Sequence, residues 1–228
     1  MTTKNDDAAA DLLIREVDEE LKQEQLHALW KKHGNLMVGC AAILVIGVAG
    51  WQGWTAWDAK RRAESGAAFS AALQVLQQGN REDALAQLGK VAADGSAGYQ
   101  VLADFKLADL KLADGDRDGA IALLERVAAG GAEDVYRDMA RLKAAYLKLD
   151  GGADPAAVEA SVASLAVESS PWRHSAREIQ ALAAAKRGDA AKASELFGKI
   201  ADDPAAPQGM RARAAEMLAA VGGGKAKG

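Results

Sequence analysis

Few side chains in this sequence could perform catalysis or bind a metal ion. Its three histidines are His27, His33 and His174, and its one cysteine is Cys40. A single cysteine excludes an intrachain disulfide and a cysteine-cluster metal site. None of the histidines lies near a Ser/His/Asp or Cys/His arrangement that the sequence spacing supports. The sequence also has no phosphate-binding loop and no HExxH motif. We therefore predict that the protein is not an enzyme and uses no cofactor or metal ion.

Recognition of another protein is chemistry that the sequence can support. Mostly apolar side chains recur at two positions, four residues apart, which repeat every 36 or 37 residues. The first position holds Phe69, Phe105, Leu142 and Glu178, and the second holds Leu73, Asp109, Tyr146 and Leu182. These eight residues, which we call the strip, could together bind an extended or helical segment of a partner. The alternative is that each of these side chains belongs to the core between neighbouring repeats.

The elements that position the strip come from an internal repeat. Glycines 36, 37 and 36 residues apart mark it, at Gly79, Gly115, Gly152 and Gly188. One alanine lies seven residues before each glycine and another lies five residues after it; these are Ala72, Ala108, Ala145, Ala181, Ala84, Ala120, Ala157 and Ala193. Two antiparallel helices can approach closely where the facing residues are small, so the pattern predicts four helix pairs.

Each glycine is expected to end the first helix of its pair in a left-handed conformation. Asn80, Asp116 and Asp189 suit the N-cap of the second helix. Apolar residues at core-facing spacing follow at Leu88, Val91, Leu124, Val127, Phe197 and Ile200. The third repeat has Ser161 where a large apolar residue is expected. Residues 210–221 predict a final amphipathic helix that caps the array.

This pattern resembles the tetratricopeptide repeat, a helix–turn–helix unit of about 34 residues. The departures are a slightly longer period, a displaced or missing closing proline, and the loss of the aromatic residue early in the first helix. The resemblance implies a helical solenoid that binds partners along the concave face lined by the first helices. An abundance of alanine, 53 residues by count, and aromatic content of only 5 % agree with an all-α fold.

The segment 36–57 contains no Asp, Glu, Lys, Arg or His over 22 residues. As a helix it would measure about 33 Å, which matches a hydrocarbon core of roughly 30 Å. Trp51, Trp54 and Trp57 crowd its end, as indole rings do at a membrane interface. A buried soluble helix and a cleaved signal peptide are the alternatives. Since 35 residues with eight acids and five bases precede the segment, the sequence favours an uncleaved transmembrane helix.

The charges beside this segment barely decide its orientation, because bases flank both ends. Residues 1–35 predict an acidic segment with a short helix, on which Ile14, Val17 and Leu21 share a face. Either a docking helix or a solvated extension of the membrane helix fits this pattern. The net charge of −4 and pI near 5.5 argue against a general nucleic-acid binder.

The layout of the chain is similar to the membrane-anchored tetratricopeptide proteins grouped with the ancillary subunit of the SecYEG translocon. The shared features are the acidic EVDEE at 16–20, the WKKHGN lead at 30–35, the anchor ending in WQGW at 51–54, and SPWR at 170–173. The resemblance implies a bacterial inner-membrane protein with a cytoplasmic N-terminus and periplasmic repeats. It also implies translocon subunits, periplasmic chaperones or exported clients as partners.

We therefore predict an acidic segment at 1–35, a single transmembrane helix at 36–57, a TPR-like solenoid at 58–221 and a flexible tail at 222–228. The predicted function is a non-enzymatic module for protein–protein interaction, as an accessory to protein export. A scaffold for envelope assembly or cell division is the alternative, because the same repeats would serve it with different partners.

Overall fold

The protein is all-helical over the residues described by this computed structural model, which are 3–223 for the backbone and 30–222 for the side chains. The helices are α1 (Thr3–Gln77), α2 (Arg81–Asp94), α3 (Ala97–Ala113), α4 (Arg117–Ala129), α5 (Asp134–Asp150), α6 (Pro155–Ser161), α7 (Arg173–Lys186), α8 (Ala190–Ala201) and α9 (Gln208–Gly223). One 3-10 turn, Ala163–Leu165, follows α6. No strand occurs in this described part of the chain, and the predicted all-α class is confirmed.

The first of two structural units, Met1–Lys60, contains the N-terminal part of α1. One helical stretch is long and apolar enough to cross a membrane, by length and composition. Its large apolar side chains are exposed, including Ile43, Ile46 and Trp51. The rings of Trp54 and Trp57 lie 5.5 Å apart between centroids. The face predicted for Ile14, Val17 and Leu21 lies outside the described side chains.

Helix α1 does not end where the charge-free segment ends at residue 57 but continues to Gln77. The sequence offers no signal to stop it, because the four prolines all follow residue 150. The first helix of the first repeat is therefore the C-terminal part of α1 and not a separate element.

The second unit, Arg61–Gly228, holds the repeats. Four helix pairs follow in order: the end of α1 with α2, α3 with α4, α5 with α6, and α7 with α8. The turn glycines have φ of 85°, 82°, 84° and 78° in chain order, at Gly79, Gly115, Gly152 and Gly188. In each turn the amide after the glycine donates to a carbonyl five residues back, as Asp116 N does to Lys111 O at 2.9 Å. The predicted left-handed turns are confirmed at all four positions.

The small residues lie between the paired helices in three of the pairs. Both alanines are buried there: Ala72 with Ala84, Ala108 with Ala120, and Ala181 with Ala193. The core-facing residues predicted on α2, α4 and α8 are buried as well; they are Leu88, Val91, Leu124, Val127, Phe197 and Ile200. The predicted N-caps Asp116 and Asp189 accept hydrogen bonds from the amides of Gly119 and Lys192. Asn80 occupies the N-cap of α2 without such a bond.

The third pair departs from the predicted register by one residue. Its second helix is capped by Asp154, two residues after Gly152, because Ala153 adds one residue to the turn. Val158, Val162 and Leu165 are buried in consequence, whereas Ala157 and Ser161 are exposed. The expectation that Ala157 packs against α5 was wrong.

Two predictions concern the C-terminal part of the repeats. At the place predicted for the capping helix, α9 packs against the end of the core with Met210, Ala214, Met217, Leu218 and Val221. Helix α7 begins at Arg173, two residues after Pro171. Just before the helix, Ser170 Oγ accepts a hydrogen bond from the Trp172 amide at 3.1 Å. Of the predicted tail, residues 224–228 lie outside the described part of the chain.

Candidate partner-binding surface

The eight residues of the strip lie on α1, α3, α5 and α7, the first helices of the four pairs. At the first position Phe105, Leu142 and Glu178 are only 8 %, 5 % and 9 % exposed. Phe69 is half-buried. At the second position Asp109 is exposed, and Leu73, Tyr146 and Leu182 are half-buried. The first position therefore contributes mainly to the core, and the second contributes most of the accessible surface.

Phe69 contacts the next repeat through an aromatic pair with Tyr99 on α3, with 6.0 Å between ring centroids. Gly66, one turn earlier on α1, makes room for this contact. A Cβ atom at Gly66 would lie 2.6 Å from the Tyr99 hydroxyl oxygen. Tyr99 is the third residue of α3 and lies outside the strip. Tyr136 and Trp172 follow it at the repeat spacing of 37 and 36 residues, so the repeat period could have identified it.

Lys143 on α5 contacts the two strip residues of α3, Phe105 and Asp109. Its Nζ lies 2.9 Å from Asp109 Oδ1 and 5.7 Å from the centre of the Phe105 ring. The ammonium group thus faces both a carboxylate and an aromatic ring. Lys143 lies beside Leu142 in sequence, and only the contact between α3 and α5 shows that it belongs to this surface.

Tyr146 and Glu178 connect α5 to α7. The Tyr146 hydroxyl donates to Glu178 Oε2 at 2.7 Å. Burial, together with the hydrogen bond to Glu178, raises the pKa of Tyr146. Arg213 Nε, on the capping helix, donates a hydrogen bond to Glu178 Oε1 at 3.3 Å. This hydrogen bond raises the pKa of Arg213. Arg213 follows Arg177 by 36 residues, so extending the repeat by one more period would have found it.

A cleft of about 170 Å³ opens between α3 and α5 within this surface. Its lining is almost entirely apolar and includes Ala108, Leu112, Leu124 and Leu147, with Asp109, Lys143 and Tyr146. Leu112 is 39 % exposed and was not identified by the strip spacing. The cleft has the chemistry to accept one apolar side chain, next to the ion pair between Asp109 and Lys143.

The histidines and the cysteine are not among the residues that line this cleft. His174 is buried on α7, with Nε2 3.6 Å from Asp203 Oδ2. Neither ring nitrogen of His174 has a hydrogen-bond partner. Cys40 and His33 are exposed on α1, and His27 lies outside the described side chains. Within residues 30–222 no group of three or more His, Cys, Asp or Glu side chains is placed to hold a metal ion.

Comparison with known proteins agrees with this architecture. A family model described as a tetratricopeptide repeat-like domain matches residues 27–197. Two crystal structures of nearly identical TPR-like repeats, from a Podosopora anserina protein assigned as a kinesin light chain, are similar in fold. Each has a TM-score of 0.53 and covers 73 % of this chain. They share 18 % and 17 % sequence identity with it, over 88 % and 89 % of their own lengths. No curated protein matches the sequence.

Proposed function

We propose a function from one premise, which is that the chain belongs to the tetratricopeptide repeat-like domain family. TPR-like repeats serve as scaffolds that bind other proteins, so protein partners are expected here. The chain is a membrane-anchored protein without catalytic activity that binds its partners on the first helices of the repeats. The observation that carries this proposal is the apolar cleft between α3 and α5, where Leu112 is accessible beside the Asp109–Lys143 ion pair.

Membrane anchoring is supported by the exposure of apolar residues in 36–57. Val45, Ile46 and Trp51 are each about 70 % exposed, and the segment has no charged residue. Water would solvate such a surface poorly, whereas a bilayer core would bury it. The tryptophans at 51, 54 and 57 suit the interface with the lipid headgroups.

Within this general function, the proposed role is that of an accessory to the Sec translocon and the periplasmic chaperone network. The support is the similarity of the whole layout to the membrane-anchored tetratricopeptide proteins grouped with the ancillary SecYEG subunit. In that arrangement the N-terminus is cytoplasmic and the repeats contact translocon subunits, chaperones or exported clients in the periplasm.

Photocrosslinking in native bacterial membranes tests the role and the surface together. A crosslinking residue placed at Leu112 should capture translocon or chaperone components. The variant Leu112→Ser, with the crosslinker moved to Asp109, should lose most of this capture. Leu102→Ser is the matched control, because Leu102 is the same residue type on the same helix, 40 % exposed, and does not line the cleft.

Three outcomes would contradict parts of the proposal. Equal capture by both leucine variants would remove the cleft as the binding surface. Capture of wall-synthesis or division proteins would replace the export role with that of an envelope scaffold. Topology needs a separate probe: in a Cys40→Ser background, Glu216→Cys should react with a membrane-impermeant thiol reagent in intact spheroplasts. Reaction only after lysis would reverse the orientation.

A further inference from the structure

A second cleft in the repeat unit lies away from the strip. It has a volume of about 810 Å³ and runs between the second helices α4 and α6. Ile121 lines it from α4, and Ala157, Val158 and Ser161 line it from α6. We call this cleft the α4–α6 groove. It shares no residue with the strip.

The groove occurs where the third pair departs from the regular repeat. Helix α6 begins one residue later than its counterparts and has 7 residues, against 13 in α4 and 12 in α8. The register shift exposes the small side chains of Ala157 and Ser161 on the groove wall. A regular repeat would direct the residue at 157 into the pair, so this wall of small side chains is a property of the third pair.

Both rims of the groove carry acidic side chains, at Asp116 and Asp118 on one side and Asp154 on the other. Asp116 and Asp154 each accept hydrogen bonds from backbone amides at a helix start. Asp118 is exposed and forms no ion pair with any described residue. Its carboxylate is therefore available to a ligand.

The two cationic side chains on the groove are already neutralised by acids next to it. Arg117 pairs with Asp150 at 2.7 Å, and Lys148 pairs with Glu125. Lys111 offsets the charge of Asp116 at 2.6 Å. The surface around the groove consequently keeps an excess of negative charge, which comes from Asp118 and Asp154.

We propose that the α4–α6 groove binds a basic segment of a partner protein. An apolar side chain of that segment packs against Ile121 and Ala157, while a neighbouring lysine or arginine pairs with Asp118. Apolar contact supplies the affinity, and the acidic rim selects against acidic segments, which it repels. This site is additional to the cleft between α3 and α5 and does not depend on it.

The test uses the full chain in non-ionic detergent and two fluorescent 12-residue peptides with one amphipathic pattern, Lys/Leu and Glu/Leu. The Lys/Leu peptide should bind, and the Glu/Leu peptide should not. Asp118→Lys should weaken binding at least about fivefold, because it replaces attraction at a rim position by repulsion. Glu216→Lys, the same charge change at an exposed position on α9, should leave binding unchanged.

A second variant tests this wall of small side chains without changing charge. Ala157→Gln places a larger side chain in the groove at an exposed helical position, and binding should weaken at least about threefold. Circular dichroism and melting curves verify that each variant is folded. The proposal is overturned by absent binding, by equal binding of both peptides, or by equal effects of Asp118→Lys and Glu216→Lys. It is also overturned if Leu112→Ser abolishes binding while Ala157→Gln does not.

Discussion

The second and third helix pairs have nearly identical turn glycines but different packing. Gly115 and Gly152 have φ of 82° and 84°, and each ends its first helix in the same way. The N-cap follows one residue later in the second pair, at Asp116, and two residues later in the third, at Asp154. The buried residue is accordingly Ala120 in one pair and Val158 in the other. The packing register therefore follows the N-cap and not the distance from the glycine.

The largest expected effect lies at the large core position of the second helices. Phe197 on α8 has no exposed surface, whereas Ser161, its counterpart by simple counting, is exposed. Phe197→Ala should lower the free energy of unfolding by about 3–5 kcal/mol. Ser161→Ala should change it by less than about 0.5 kcal/mol. Chemical denaturation of the full chain in detergent measures both free energies. If Ser161→Ala and Phe197→Ala destabilised the protein equally, the third pair would have the regular register after all.

The next largest effect on stability concerns the alanines that face each other between paired helices. Ala193 is fully buried between α7 and α8, so Ala193→Leu should overpack the pair and lower the free energy of unfolding by about 1–3 kcal/mol. Ala157→Leu should have little effect on stability, because residue 157 is exposed. Thermal melts of the two variants compare them directly. If both variants lose stability equally, the one-residue shift of α6 is refuted.

The turn glycines should behave alike in the two pairs, because the extra residue follows them. Gly115→Ala and Gly152→Ala should each lower the free energy of unfolding by about 1–2 kcal/mol, the cost of a left-handed backbone for a residue with a Cβ atom. Gly89→Ala is the control, within α2 and with nothing near its Cβ position. Gly89→Ala should raise the free energy of unfolding by about 0.5–1 kcal/mol. Unequal losses at Gly115 and Gly152 would place the irregularity in the turn itself.

The smallest effect is a pH dependence at His174, which follows the long connection after the third pair. Burial, followed by the charge of Arg173, lowers the pKa of His174. Arg177, Asp203 and Glu168 are the other charged groups that act on it. Below about pH 6.5, His174 therefore binds a proton more readily in the unfolded chain than in the folded protein. Stability should therefore be full above this pH and fall as the pH drops towards the folded pKa.

Melting temperatures between pH 7.5 and 5 measure the effect of His174. His174→Gln should reduce the dependence of the melting temperature on pH between pH 6.5 and 5, whatever its effect on the absolute melting temperature. An unchanged slope in the variant would show that carboxylates, and not His174, set the acid dependence in this range.

The repeats were largely predictable from the sequence, because each helix pair depends on a local pattern. Glycines such as Gly79 end helices through backbone conformation, and Asp189 begins one through a hydrogen bond three residues away. The strip was predictable only in part. Phe105 and Leu142 are buried by neighbouring helices, whereas Leu112 and Lys143 reach the cleft through contacts between α3 and α5 that no spacing in the sequence encodes.

By itself, the sequence determined the all-α fold, the four helix pairs with their left-handed glycine turns, the capping helix and the charge-free segment. These features rest on local physics: backbone conformation at glycine, capping at helix starts, and the period of apolar residues. Only the tertiary structure decided which strip residues remain accessible, such as Asp109, and which are buried, such as Leu142. It also placed Leu112 and Lys143 at the cleft between α3 and α5. Accessibility is set by side chains from other helices, whose approach depends on the whole array.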